Sequence, residues 1–537
     1  MKLADTIKSL ALVAVAALAA CTGGGGNGSI GVMPSSPPGN PPSNPAQVTT
    51  TIVGLGDSLT AGYQSSGMLG ATTVSLAAYP QFTSIGLFAV PPTQENGWFS
   101  LFYSDAKGMT WVQQATPGVS VLPLIAGPGI GNQILPANPA DTGGIPFATV
   151  PGRSSCDSFN QAAFTYAANS TAGSVRMNPT SVTYDLGIPS LTLHEAISMY
   201  QPTTTTCLEI YNPPTNVAQA EIDALQALVG GESENFYPVM EKYSTPSNHV
   251  TPLAAAVSLH PTLTTVWLGA NDLLKYTFSG GTAPGLDITE SLVKSDMTQI
   301  IQALKHAGSD VIVATLPNVV ETPQFAIVGN PPSQAYCQFQ TWLPCLITEF
   351  TGLPFANSEA YLTGILIPTD SFLAPSGSQN AYLTETGLIT LIASGGNPAS
   401  LTAGENGTDY LTASFATQVQ SVNSAINAGI VAAANANRVP YVPIDQIFDG
   451  IYSGSGAYFA AAASVNPGKC CTLAFGGGLL TFDGLHPSDS GYGFIAQAFQ
   501  QAANSAFGTS IPAINPASAY SGAGGIYASY PDPYALH

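Results

Sequence analysis

The sequence predicts an α/β fold built on a parallel sheet. The first observation is a strand over 263–268, ending in Val266-Trp267-Leu268, followed by residues 287–306 with apolar side chains at helical spacing (Ile288, Leu292, Met297, Ile300, Ile301, Leu304) and Gly308 as the stop. Asp310-Val311-Ile312-Val313-Ala314-Thr315 then reads as a second buried strand. Strand, helix and strand at this spacing make a right-handed crossover, which joins parallel neighbours. The second observation is a short β-branched run, Thr49-Thr50-Thr51-Ile52-Val53, that ends in turn residues and reads as another buried strand. The third is size: 537 residues with 45% hydrophobic side chains are enough for a large core and exclude a disordered chain.

In chain order, Lys2 and Lys8 form a positive start, and Leu10 to Ala20 form an apolar run too short to span a bilayer. Leu18-Ala19-Ala20-Cys21 resembles a bacterial lipobox, which implies cleavage before Cys21 and lipidation of its thiol. An ordinary secretory signal cut nearby is the alternative, and an uncleaved anchor fits the short run poorly. Residues 21–48 are rich in Gly, Pro, Ser and Asn and read as a flexible tether. A chain starting at Cys21 loses Lys2, Asp5 and Lys8, so 11 basic and 31 acidic residues become 9 and 30, and −20 becomes −21.

After the first strand, 63–180 is a polar–apolar mixture rich in Gly, Pro and Thr, read as an insertion. Gly127-Pro128-Gly129-Ile130-Gly131 lacks the spacing and the Gly-Lys-Ser/Thr ending of a phosphate loop and reads as a plain turn. Val182-Thr183-Tyr184-Asp185-Leu186 is the next expected strand. His194-Glu195 has Ser198, not histidine, at the zinc-protease spacing, and is expected on a helix surface. Residues 217–230 have helical periodicity. A second insertion covers about 320–410. A helix over 411–437, a strand over 439–444, a loop over 472–487 and an amphipathic helix over 489–507, with Tyr492, Ile495, Ala496 and Phe499 on one face, complete the elements. The tail from Ile511 is expected to pack loosely. There is no internal repeat.

Charged residues are only 8% of the chain, and no basic patch exists to bind phosphates, so nucleic acid is excluded as a partner. If Cys21 carries lipid, Cys156, Cys207, Cys337, Cys345, Cys470 and Cys471 remain, an even number that suits disulfides in an oxidising compartment. Cys337 and Cys345 can close a small loop. Adjacent Cα atoms, about 3.8 Å apart, make a Cys470–Cys471 bridge strained. Cys156–Cys207 is the second expected bridge. Zinc is the rival use, but no Cys-x-x-Cys pair supports it.

The chemistry-bearing strings lie at strand ends. Gly56-Asp57-Ser58-Leu59 follows the first strand and places a serine at the sheet's carboxyl edge, on a sharp turn into a helix, where open α/β sheets bind ligands. As a structural residue, Ser58 would be a helix N-cap. A nucleophilic serine needs a base and the base an orienter. Of six histidines only His486 has an aspartate three residues upstream, in Asp483-Gly484-Leu485-His486-Pro487. His194, His249, His260, His306 and His537 read as packing or surface residues. Asn271, in Gly269-Ala270-Asn271-Asp272, follows a strand and could donate to an oxyanion.

In this order the three strings resemble the GDSL/SGNH family of serine hydrolases, and Ser488-Asp489-Ser490-Gly491-Tyr492 continues in the family's manner. The resemblance implies Ser58 as nucleophile, His486 as base, Asp483 as orienter and Asn271 as oxyanion donor beside the Ser58 backbone N–H. Asp185-Leu186-Gly187-Ile188-Pro189-Ser190 is similar to the family's Asn-Leu-Gly-x-Pro-Gly, with Ser190 in place of the oxyanion glycine. It further implies a three-layer α/β/α sandwich, flavodoxin-like, with about five parallel strands over 49–510, long insertions, and a tail at 511–537. The implied activity is carboxylic ester hydrolysis through an acyl-enzyme, with no metal or cofactor. Acyl transfer to another acceptor, or a non-catalytic surface lipoprotein on the same scaffold, are the alternatives. The implied partners are an ester substrate (lipid, acylated carbohydrate or small ester) and a membrane reached through Cys21. The expected location is the bacterial cell envelope, on the outer membrane or facing the periplasm, or secretion.

Overall fold

The computed structural model describes residues 45–62, 97–108, 182–200, 248–283, 285–322, 410–453, 456–465 and 485–516, with short pieces between them. Five strands form one sheet: β1 (Ile52–Gly56), β2 (Asp185–Gly187), β3 (Leu263–Trp267), β4 (Asp310–Ala314) and β5 (Tyr441–Val442). All pairings are parallel, and the spatial order is β5-β4-β3-β1-β2. Every residue of β1 and β3 is buried. That is why these segments read as apolar runs without alternation: helices cover a parallel sheet and leave no wet face.

The helices that matter for the site are α1 (Trp98–Lys107), α2 (Pro252–Ser258), α3 (Ala270–Phe278), α4 (Glu290–His306), α5 (Ala413–Asn437), α6 (Ile444–Tyr452) and α7 (Asp489–Phe507). They flank the sheet in two groups. α4 lies along α5, and both reach β4. α1 lies along α7, where Trp98 stacks on Phe499 with ring centroids 4.1 Å apart. Both rings meet Trp267 of β3, at 6.0 and 6.4 Å. Polar side chains mark the helix starts: Thr289, Thr412 and Ser488 accept from Leu292, Phe415 and Gly491 amides at the heads of α4, α5 and α7.

The parallel sheet flanked by helices is the expected architecture, with boundaries moved for physical reasons. The last strand shrinks from 439–444 to 441–442 because Pro440 and Pro443 have no N–H to give to a ladder. The first strand starts at Ile52, which pairs with Leu263, so Thr49–Thr51 form the lead-in.

Three expectations are corrected. The stretch 63–180, read as an insertion, contains α1, whose Trp98, Phe99 and Phe102 are fully buried. Truncating such an aromatic generally costs about 3–5 kcal/mol, so α1 is part of the core. The tail does not pack loosely at its start: Ile511 and Ile514 are buried, and their carbonyls accept from Gln500 and Gln497 of α7. Nor does a helix follow the first strand directly; residues 57–62 form consecutive turns. Val48, at the end of the tether stretch, is also buried, and its carbonyl accepts from Thr262 Oγ1. Cys21 and the other six cysteines, the helix at 217–230 and Asp483 lie outside the described residues.

Candidate active site

The turn after β1 is wound around Asp57. Its carbonyl accepts from Thr60 and Ala61 N–H at 3.1 and 3.0 Å, and its Oδ1 accepts from Leu59 N–H at 3.0 Å. This winding lifts Ser58 out of the carboxyl edge of the sheet. The turn presses on β2, where a Cβ at Gly187 would stand 2.3 Å from the Ala61 nitrogen, so only glycine fits. Ser58 Oγ lies 2.9 Å from His486 Nε2, and the two residues keep 7% and 9% of their surface exposed. A hydroxyl paired with an imidazole at that distance, open to solvent at its edge, can be deprotonated as it attacks.

The chain just after His486 is held in place. Pro487 bridges to Leu480, and Ser488 N–H donates to the Leu479 carbonyl at 2.9 Å. Two residues on, Ser488 caps α7. Gly491 lets the helix start approach this loop, because a Cβ there would stand 2.2 Å from the Leu479 carbonyl oxygen. Asp483 is not among the described residues.

The second half of the site is a turn over Ile188-Pro189-Ser190-Leu191. Leu191 N–H donates to the Ile188 carbonyl at 3.1 Å, and Ser190 has φ of +70°. Proline at the second position and positive φ at the third are the marks of a type II turn, which favours glycine at the third. This explains why a glycine is expected at position 190 and how serine takes it, at the cost of a left-handed backbone. The turn's bond does not use the Ser190 N–H, which leaves that donor for another acceptor.

Helix α3 fixes this turn through its first residues. Asn271 Nδ2 donates to the Leu191 carbonyl at 3.1 Å. An amide NH₂ has two hydrogens, so one holds the turn and the second can serve an oxyanion. Asp272 accepts from Leu193 N–H on Oδ2 and from Asp287 N–H on Oδ1, at 2.8 and 3.0 Å. Asn271 and Asp272 together pin residues 191–193 to the end of β3.

Three buried aspartates near this edge have carboxyls pushed upward, chiefly by burial. Asp57 rises to about 7, partly offset by the Leu59 N–H and by His486. Asp185, whose Oδ1 accepts from Gly187 N–H at 2.8 Å, rises to about 8. Asp272 also rises, held back by its two backbone donors. Asp57, Asp185 and Asp272 were not singled out from the sequence as working residues. The available signal was an aspartate in or just after each of three apolar strands in a chain with very few charges.

The structure brings Ser58 and His486 into contact and joins Asn271 to the turn carrying Ser190. It corrects the placement of His194. Far from a helix surface, His194 is buried to 8% exposure, with Nδ1 2.7 Å from Asp296 Oδ2. Among the described residues, His194, Asp287 and Asp296 form the one group whose ligand-type atoms lie close enough to hold a metal ion, within 4.8 Å of one another.

A family model described as GDSL-like Lipase/Acylhydrolase matches residues 52–499. No curated protein and no solved structure matches the chain.

The raised Asp185 carboxyl sets a pH signature. Its folded value, about 8, exceeds the ordinary 3.8, so folding takes up a proton. The associated stability is complete below the ordinary value and is lost as pH rises through the folded one. We therefore expect the melting midpoint to contain a component that falls as pH is raised from about 4 to 8. Asp185→Asn keeps the acceptor for Gly187 N–H but does not titrate. Melting curves of this variant should show a flatter dependence and a higher midpoint at pH 8 relative to pH 5; an unchanged slope refutes the assignment.

Proposed function

This chain belongs to the GDSL-like lipase/acylhydrolase family, and from that premise we propose that it is a serine hydrolase that cleaves carboxylic esters through an acyl-enzyme. The observation that carries the reading is the 2.9 Å contact between His486 Nε2 and Ser58 Oγ, between groups 428 residues apart in sequence. Ser58 Oγ attacks the ester carbonyl as His486 takes its proton. Negative charge gathers on the carbonyl oxygen, where the second Nδ2 hydrogen of Asn271 and the backbone N–H groups of Ser58 and Ser190 meet it. His486 returns the proton to the leaving alcohol, then activates the water that releases the acid. Asp483, three residues before the base, orients the imidazole and stabilises its charged form. None of these steps requires a metal or cofactor.

Because the oxyanion exists only during reaction, Asn271→Ala should lower kcat by about 10²–10³ with little change in KM. Ser58→Ala should abolish turnover of a short-chain ester, and His486→Ala likewise. Steady-state kinetics on folded variants test this. Near-normal turnover by Ser58→Ala would sink the nucleophile, and an Asn271→Ala effect confined to KM would make Asn271 a binding residue.

We also propose that the mature chain begins at Cys21 and is held by a lipid on its thiol, with residues up to the buried Val48 as the tether. The motif Leu18-Ala19-Ala20-Cys21 supports this. No helix among the described residues is long and apolar enough to cross a membrane. In a bacterial host, the protein should take up labelled fatty acid and sediment with membranes, and Cys21→Ser should lose both. Unlabelled wild-type protein in the soluble fraction would refute the anchor.

A further inference from the structure

We propose that His194, Asp287 and Asp296 form a divalent-cation site of the zinc type, placed behind the oxyanion turn. The three residues come from different segments. His194 follows the pinned stretch 191–193, Asp287 precedes the Thr289 cap of α4, and Asp296 lies on α4 itself. Each offers one ligand-type atom, and the three atoms lie within 4.8 Å of one another.

The independent observation is Asp287. Its side chain is 98% buried, since 2% remains exposed, and no donor reaches its Oδ2. A buried carboxylate oxygen without a donor is costly, the more so when the group is charged. Burial disfavours its charge, Asp272 and Asp296 both lie near enough to oppose it, and in the absence of a cation the Asp287 carboxyl meets that of Asp296 only through a shared proton. Asp272 is satisfied by two backbone N–H groups, and Asp296 Oδ2 has the His194 ring nitrogen at 2.7 Å. Asp287 Oδ2 is the group left over. Lys275, which acts on Asp272, sits 3.5 Å from Glu195. With both carboxyls ionised, the two carboxylates and a neutral imidazole carry a charge of −2, which a divalent cation cancels.

The ligand set selects the ion. Calcium and magnesium take shells of oxygen ligands, so an imidazole disfavours both. One imidazole nitrogen and two carboxylate oxygens suit Zn²⁺, which accepts three protein ligands with water in the fourth position. On binding at His194 Nδ1, the ring proton moves to Nε2 so that the imidazole stays neutral, and the proton that Asp287 shares with Asp296 leaves to solvent; no electrons move. The bound ion would fasten the segment after the oxyanion turn to the start of α4, next to the Asp272 staple.

The test uses the full-length chain without an affinity tag, dialysed against chelator and titrated with ZnCl₂ by calorimetry near neutral pH. Wild type, Asp287→Asn, Asp296→Asn and His194→Gln are compared, with folding checked by circular dichroism. We expect wild type to bind one more Zn²⁺ per chain than each variant, so that any zinc held by cysteines cancels, and its melting midpoint to rise on zinc addition more than theirs. If Asp287→Asn does not fold, Asp296→Asn decides the matter, because that side chain is only partly buried. Equal stoichiometry in wild type and variants would overturn the site. So would a wild-type midpoint indifferent to zinc but raised by Asp287→Asn, which would mean that a shared proton holds the carboxyl pair.

Discussion

Everything at the site depends on the position of β1. It pairs with β2 on one side and β3 on the other, so the chain leaves β1 toward one edge and later returns to build the rest of the sheet on the opposite side. At such a reversal, the connections after neighbouring strands diverge and leave a crevice at the carboxyl edge. The segments leaving β1, β2 and β3 carry Ser58, Ser190 and Asn271 in turn. The sheet order thus converts three distant sequence positions into neighbours, and the loop before α7 brings His486 to the same edge.

The second constraint is electrostatic. With 31 acidic and 11 basic residues, the chain has too few cations to pair its buried carboxylates. Asp57, Asp185 and Asp272 accept backbone N–H groups instead: Asp57 and Asp272 fix segments beyond a strand, and Asp185 holds Gly187 within β2. The positional gain is a rigid edge: the Ser58 turn hangs on Asp57, and the Ser190 turn hangs on Asn271 and Asp272. Burial is the opposing term, and it keeps these carboxyls above their ordinary range.

Much of this was legible in the sequence because the relevant signals are local. Strands buried on both faces read as apolar runs, the strings after two of them carried Ser58 and Asn271, and a third string, in the loop before α7, carried His486. The Ser190 departure was visible too, but its cause was not: the type II turn depends on the hydrogen bond from Leu191 to Ile188. The misreadings share a physical origin. Trp98 sits in a stretch of weak periodicity, and it packs on Phe499 and Trp267, which are distant in sequence. His194 looked like a surface residue because its partners, Asp287 and Asp296, come from a distant segment. Ile511 and Ile514 follow the last helix in a Pro- and Ala-rich tail, and only the glutamines and asparagine of α7 reveal that they are bound.

The central claim is that Ser58 is an activated nucleophile, and covalent labelling tests it most directly. A fluorophosphonate reacts with a serine whose hydroxyl is paired with a working base and leaves ordinary serines untouched. Peptide mapping of the labelled protein should place one adduct on the peptide containing Ser58, at a rate that drops sharply in His486→Ala. An unlabelled folded protein, or an adduct on another serine with Ser58 intact, would contradict the account.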